Sequence, residues 1–348
     1  MRIALDVMGG DHGCEVVIDG VRLALDAISG IAEIHLVGDR PQIEAALAKR
    51  HVNDSRVKIL HTTEVLTMED SPLEGVRKKK DCSMVRAIEL VRDGKADAVI
   101  SPGNTGGLVA GSTFRLRRIE GVERPAIVTL MPSRTTTFIF LDAGANHECK
   151  PFYLAQFAVM GSVYSREVLG CSKPRVGVLS NGTEEGKGTE LTRESAKLCR
   201  QLNLNFIGYV EGHDLFDDRV DVVVTDGFVG NVVLKSIESM GKAILKNLKA
   251  GLTATPTRKL GAWMARGAFT DLKRRMDPDV YGGAPLLGLN GIVIKAHGSS
   301  RERAIMNAIR VATETIQHHL NDVITREIAE ANQRLANVKD NGPVPAAA

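Results

Sequence analysis

Residues 220–235 read VDVVVTDGFVGNVVLK: an apolar run ends on Asp226, Gly227 and Gly230 shape a turn, and Asn231 and Lys235 follow four residues apart. That spacing puts the last two on one helical face. A strand that ends in such a turn delivers a helix N-terminus, whose free amides and positive dipole end attract anions, phosphate above all. The same residues also suit an ordinary turn, with Asn231 capping the helix and Lys235 in solvent. SPGNTGG (101–107) makes a similar offer. Gly103, Gly106 and Gly107 leave the backbone bare, and Asn104 and Thr105 add side-chain donors.

Other loops carry further candidates. NGTEEGKGT (181–189) brings Lys187, but its spacing departs from the G-x-x-x-x-G-K-[ST] phosphate loop. His297 ends the run GIVIKAH and suits either a proton carrier or a packed histidine; Ser299 and Glu302 behind it fit a capping box. Asp6, Asp11 and Asp142 lie near strand ends, where they would hold Mg²⁺ or fix loops through hydrogen bonds. The signatures of a serine hydrolase elbow, a zincin and a dinucleotide fold are absent, and no metal site is expected.

These turns need strands to position them. RIALD, ADAVIS, FIFLD, RVGVLS, VDVVVTD and GIVIK are short runs rich in Val, Ile, Leu or Phe that end in Gly, Asn or Ser clusters. Helical patterns lie between them at 15–28, 41–50, 83–94 and 190–202. Continuous apolar strands alternating with helices predict an α/β fold, a mainly parallel sheet with helices on both faces. In such sheets ligands bind beyond the carboxyl ends of the strands, where several glycine turns would converge. Ile305, Ile309, Ala312, Ile316, Leu320 and Ile324 mark one late amphipathic helix or two in series. No linker or repeat divides the chain, so residues 1–338 are read as one large domain and 339–348 as a flexible tail.

The 348 residues hold 45 basic and 42 acidic side chains with 4% aromatics, which disfavours a nucleic-acid partner. Five widely spaced cysteines without a C-x-x-C pair fit a reducing cytosol, and no apolar run approaches the roughly 18 residues of a membrane span. Charge is concentrated locally instead. RKKK (77–80) precedes a helix and suits solvent, an acidic partner or an anionic substrate. Between residues 256 and 277, Leu260, Trp263, Met264, Phe269, Leu272 and Met276 oppose Arg258, Lys259, Arg266, Lys273, Arg274 and Arg275. This basic amphipathic helical projection, at about 250–280, fits a membrane interface or an acidic protein, or else packing on its own core or a second subunit.

Together IALDVMGGDHG, SPGNTGGLVAG, DAGANHECKP with QFAVMGSVYS, VDVVVTDGFVGNVVLK and YGGAPLLGLNGIVIKAHGSS resemble the bacterial PlsX family, fatty acyl-ACP:phosphate acyltransferases, in family order over nearly the whole chain. Pro102, Gly107, Ser180, Asn181 and Ser239 depart from the family pattern. The resemblance implies transfer of a long-chain acyl group from acyl carrier protein to inorganic phosphate without a cofactor. The acyl phosphate would be consumed by a membrane glycerol-3-phosphate acyltransferase in phospholipid synthesis. It further implies a homodimer, a fold similar to isocitrate and isopropylmalate dehydrogenases and phosphotransacetylase, and a cytoplasmic protein peripherally bound at the inner membrane face. On this reading the turns at 103–106 and 227–231 bind phosphate and the thioester oxygen. Lys187 or Lys235 adds positive charge, and Asp226 orients a cation or accepts a phosphate proton. A phosphotransacetylase-like acyl-CoA transferase and an NAD-dependent decarboxylating dehydrogenase on the same fold are the alternatives.

Overall fold

Runs such as Ala98–Ser101 and Val222–Val224 are buried at every position, as strands covered on both faces must be. In the computed structural model, which describes residues 1–184, 186–275 and 282–341, they are the fourth and tenth of twelve strands. The first part of the chain gives β1 (Arg2–Asp6), α1 (Gly13–Ala27), β2 (Glu33–Gly38), α2 (Arg40–Lys49), β3 (Val57–His61), α3 (Pro72–Lys78), α4 (Ser83–Arg92), β4 (Ala98–Ser101) and α5 (Thr105–Leu116). The middle gives β5 (Ala126–Ile127), β6 (Thr129–Pro132), β7 (Thr137–Leu141), α6 (Pro151–Glu167), β8 (Arg175–Leu179), α7 (Glu190–Arg200), β9 (Asn205–Val210) and β10 (Val222–Val224). Next come α8 (Gly227–Thr253), α9 (Pro256–Met264) and α10 (Arg266–Arg275). The chain ends with β11 (Ala284–Leu287), β12 (Ile292–Lys295), α11 (Glu302–Gln317) and α12 (Leu320–Asn341).

The architecture is α/β and mostly parallel, as expected, but the strands form two sheets rather than one. A seven-stranded sheet has the order β3-β2-β1-β4-β12-β11-β5, and a five-stranded sheet the order β6-β7-β10-β8-β9. β11 runs antiparallel to both β12 and β5, and β6 to β7; the other strand pairs among the described residues are parallel. The chain crosses from one sheet to the other between Ile127 and Thr129 and returns through β11. One apolar cluster spans this junction, packing Ile119, Val122 and Leu287 with Ile139, Val176 and Val222 under α6 and α12. α12 runs to Asn341, three residues into the stretch read as a tail; residues 342–348 lie outside the described residues.

Helix α1 buries Val17, Ile18, Val21, Ala24 and Leu25, a stripe at helical spacing, and meets α11 through Gly20. A β-carbon at Gly20 would fall 2.5 Å from Ile305 Cβ and 2.7 Å from the Glu302 carbonyl oxygen. Replacing Gly20 with Ala is therefore expected to force the two helices apart. The cost should be about 1–3 kcal/mol in urea unfolding, despite the higher helix propensity of Ala.

Candidate active site

β1, β4 and β12 lie side by side and parallel, so their carboxyl-end loops meet. Asp11 N–H donates to the Gly298 carbonyl at 2.9 Å, and Ala296 N–H to that of Ser101 at 3.0 Å. A β-carbon on Gly9 would sit 2.6 Å from Gly103 Cα, so two backbones touch where any side chain would separate them. Beneath them Asp6 is buried and accepts from Ser101 Oγ at 2.7 Å and Met8 N–H at 3.1 Å. Burial raises its pKa, opposed by hydrogen bonds from Ser101 and Ser83. Asp6 thus fixes the loop, one of the two roles expected for it.

Lys295 closes β12 in the same place and was missed in the sequence, where a single cation after an apolar run looks like any surface lysine. Its Nζ donates to the carbonyl oxygens of Pro102, at 3.2 Å, and Ala296. Burial pushes the amine down to about 8; nearby Asp6 and Asp11 oppose this shift, and Lys235 adds to it.

Asn104 caps α5, its Oδ1 accepting the Gly107 N–H at 2.9 Å, and its amide nitrogen holds the 67–70 loop through the Thr67 carbonyl at 3.3 Å. Gly106 is explained by packing, since a β-carbon would meet Pro72 Cγ at 2.7 Å. The amides of Thr105 and Gly106, first in α5, have no acceptor among the described residues.

The second sheet brings β7, β10 and β8 together in the same way. Buried Asp142 ends β7 and accepts N–H groups from Ile127 (3.0 Å), Gly144 (3.2 Å), Ala145 (3.0 Å) and Asn146 (2.7 Å), so it too is a loop anchor. α8 rests directly on this loop: Gly227 N–H reaches the Asn146 carbonyl at 2.7 Å, and a β-carbon on Gly230 would lie 1.9 Å from the Asp142 carbonyl oxygen.

Here the expectation of a bare-amide turn is corrected. Asp226 Oδ1 takes the N–H groups of Phe228 and Val229, both at 3.0 Å, and its carbonyl takes that of Gly230 at 2.9 Å. The cap is Asp226, not Asn231, and the amides of residues 227–230 are already occupied. Asn231 stands exposed in the first turn of α8 beside Gly144. One turn on, Lys235 Nζ lies 3.4 Å from His297 Nε2, which joins the loops of the two sheets across one crevice. His297 Nδ1 lies 2.8 Å from Ser299 Oγ. That hydroxyl is thereby claimed, and α11 begins after Arg301, which corrects the capping box of Ser299 and Glu302. Partial burial, then Lys235, holds the His297 imidazole below its ordinary pKa.

Lys187 is exposed on the loop after β8 and makes no described contact with the first sheet's loops. The basic segment stands apart from the crevice as α9 and α10. Leu260, Trp263 and Met264 are 61%, 63% and 74% exposed, so they do not pack on the chain's own core. The Arg266 guanidinium lies 5.6 Å from the centre of the Trp263 ring, a cation–π contact, and Arg274 pairs with Asp271 at 3.7 Å. The side chains of Lys273 and Arg275, and all of Met276, lie outside the described residues.

The fold is that of the phosphotransacetylases. A phosphotransacetylase from Streptococcus pyogenes superposes with a TM-score of 0.61 at 20% identity, covering 91% of this chain and 94% of its own. A branched-chain phosphotransacylase from Enterococcus faecalis V583 gives 0.58 at 13% identity, covering 92% and 100%. A family model described as fatty acid synthesis protein matches residues 1–323. The phosphate acyltransferase of Syntrophotalea carbinolica is 46% identical over 335 residues, 96% of each chain, and that of Clostridium acetobutylicum 43% over 334 residues, 95% of this chain and all of its own. The chain belongs to this family, the PlsX-type phosphate acyltransferases, and is an acyltransferase that uses phosphate.

Since Asp226 caps α8, Asp226→Ala is expected to cost about 0.5–2 kcal/mol of stability in urea unfolding. Asp226→Asn, which keeps an acceptor oxygen, should retain most of it.

Proposed function

We propose that this acyltransferase moves a long-chain fatty acyl group from acyl carrier protein to inorganic phosphate, producing acyl phosphate for phospholipid synthesis. The observation that carries the reading is a crevice supplied with cations and free amides, in which the thiols among the described residues are not activated. The Cys149 thiol is pushed up to about 12 and Cys82 to about 11 by burial, which keeps both protonated and unreactive. Phosphate itself is then the attacking group.

One oxygen of HPO₄²⁻ forms a bond to the thioester carbon, and the carbonyl becomes an oxyanion. Collapse breaks the C–S bond, and the departing thiolate takes up the single proton that phosphate gives up. Catalysis is therefore positioning, charge stabilisation and one proton transfer. Asn231, at the mouth of α8, is assigned to the oxyanion as a side-chain donor. His297, its pKa held below the ordinary imidazole value by partial burial and then by the Lys235 it contacts, is suited to carry the proton from phosphate to sulfur. Asp226, already a cap, retains Oδ2 for orienting a cation.

Acyl carrier protein is acidic, and exposed Arg77, Lys78 and Lys80 beside α5 offer it complementary charge. The apolar side chains of α9 with the surrounding cations suit a lipid interface, which fits a product destined for a membrane glycerol-3-phosphate acyltransferase at the inner face of the cell membrane. No helix among the described residues is long and apolar enough to cross a bilayer. Exposed Phe228, Val229 and Val232 on α8 support a second subunit.

Incubation of the protein with palmitoyl-ACP, orthophosphate and hydroxylamine is expected to yield a hydroxamate that depends on orthophosphate. Hydroxamate formed only from short acyl-CoA, or reduction of NAD, would favour the alternatives. Asn231→Ala, folded normally, should lower kcat by about 10²-fold or more. Changing Leu260, Trp263 and Met264 together to Ser should abolish flotation with anionic liposomes; unchanged flotation would rule out that contact.

A further inference from the structure

We propose that Lys295 is the phosphate-binding cation of this enzyme, its ammonium and the free amides of Thr105 and Gly106 forming one subsite for a phosphate dianion where the loops after β1, β4 and β12 meet. The assignment rests on transfer to phosphate but not on the identity of the acyl donor.

Three features support it. Lys295 is the last rung of β12, in register with Ser101, and its amine reaches the Pro102 carbonyl, at the start of the turn into α5. The amides of Thr105 and Gly106 follow within one turn of chain, and a helix N-terminus with unoccupied N–H groups favours an anion. Second, an ammonium has three N–H bonds. Two go to the carbonyls of Pro102 and Ala296, and the third has no acceptor among the described residues.

Third, the charge lacks a counter-ion. A lysine withdrawn from water ordinarily pairs with a carboxylate. Lys295 forms no ion pair among the described residues, because Asp6 is engaged by Ser101 and Met8, and Asp11 acts only at a distance. The charged groups acting on it are Asp6 at the end of β1, Asp11 from the loop that follows and Lys235 from α8; His297, two residues on, lies within reach of its charge. A dianion placed here would meet a cation already stripped of much of its hydration, where a charge-assisted hydrogen bond is strongest.

With burial pushing the amine down to about 8, it is expected to be charged below that pH and to lose its charge above it. Phosphate binding is thus present at neutral pH and fades as the pH rises through about 8.

Isothermal titration of orthophosphate into the intact protein, with no acyl donor present, tests the assignment. The Lys295→Met variant is expected to bind about 10- to 100-fold more weakly than wild type, and Lys295→Arg to recover part of the loss. A folded Lys295→Met protein that binds orthophosphate within about twofold of wild type overturns the proposal. Should that variant fail to fold, the wild-type protein decides. Affinity that falls at least tenfold between about pH 7.5 and 9.5 supports the assignment, and affinity that stays flat defeats it. Because no carrier protein enters the assay, failure of the donor assignment leaves this result unaffected.

Discussion

The structure depends on backbone meeting backbone at the strand ends. Gly9 lies against Gly103 in the first sheet, and Gly230 against the Asp142 carbonyl in the second, at separations where a single β-carbon would overlap its neighbour. These contacts let adjacent turns interlock, and the helices that follow inherit their positions from them. α8 is the clearest case. Its first turn is seated on the β7 loop, its third carries Lys235 to His297, and the remainder, in a helix about 40 Å long, leads to the exposed apolar residues of α9.

Interlocked turns still leave amides in need of acceptors, and carboxylates at the strand ends supply several of them. Asp142 takes four backbone N–H groups, and Asp226 caps α8. Asp6 works through Ser101, whose Oγ accepts the Gly103 N–H at 3.0 Å. The consequence is selective: where a carboxylate fills a helix N-terminus, an anionic substrate is repelled, and where an uncharged asparagine caps it, as at α5, the anion site stays open. Positive charge from Lys295 and Lys235 then accumulates on the open side, although the whole chain carries a net charge of only +3.

Much of this was legible in the sequence. Buried Val and Ile runs with Gly clusters behind them marked β1, β4, β7, β8, β10 and β12, and the helical stripes marked α1, α2, α4 and α7. The division into two sheets was not legible, because strand pairing is non-local and the crossing strand β5 has only two residues. The glycine turns were recognisable as close approaches, but whether the missing side chain makes room for a ligand or for another loop depends on tertiary neighbours. For Gly106, Gly227 and Gly230 the neighbour is protein. Ser299 and Glu302 matched a capping pattern that failed because His297 competes for the hydroxyl. Lys295 carried no distinguishing signal until Pro102 and Ala296 were seen around it.

The central claim is that loops from both sheets form one crevice that seats the phosphate. Anomalous diffraction from crystals of the intact protein soaked in arsenate, a structural mimic of orthophosphate, addresses it most directly. The account predicts a principal arsenic peak between the start of α5 and the Lys295 amine, on the side facing Lys235. A principal peak in the Lys187 loop or along α9 and α10, with none in the crevice, would contradict it.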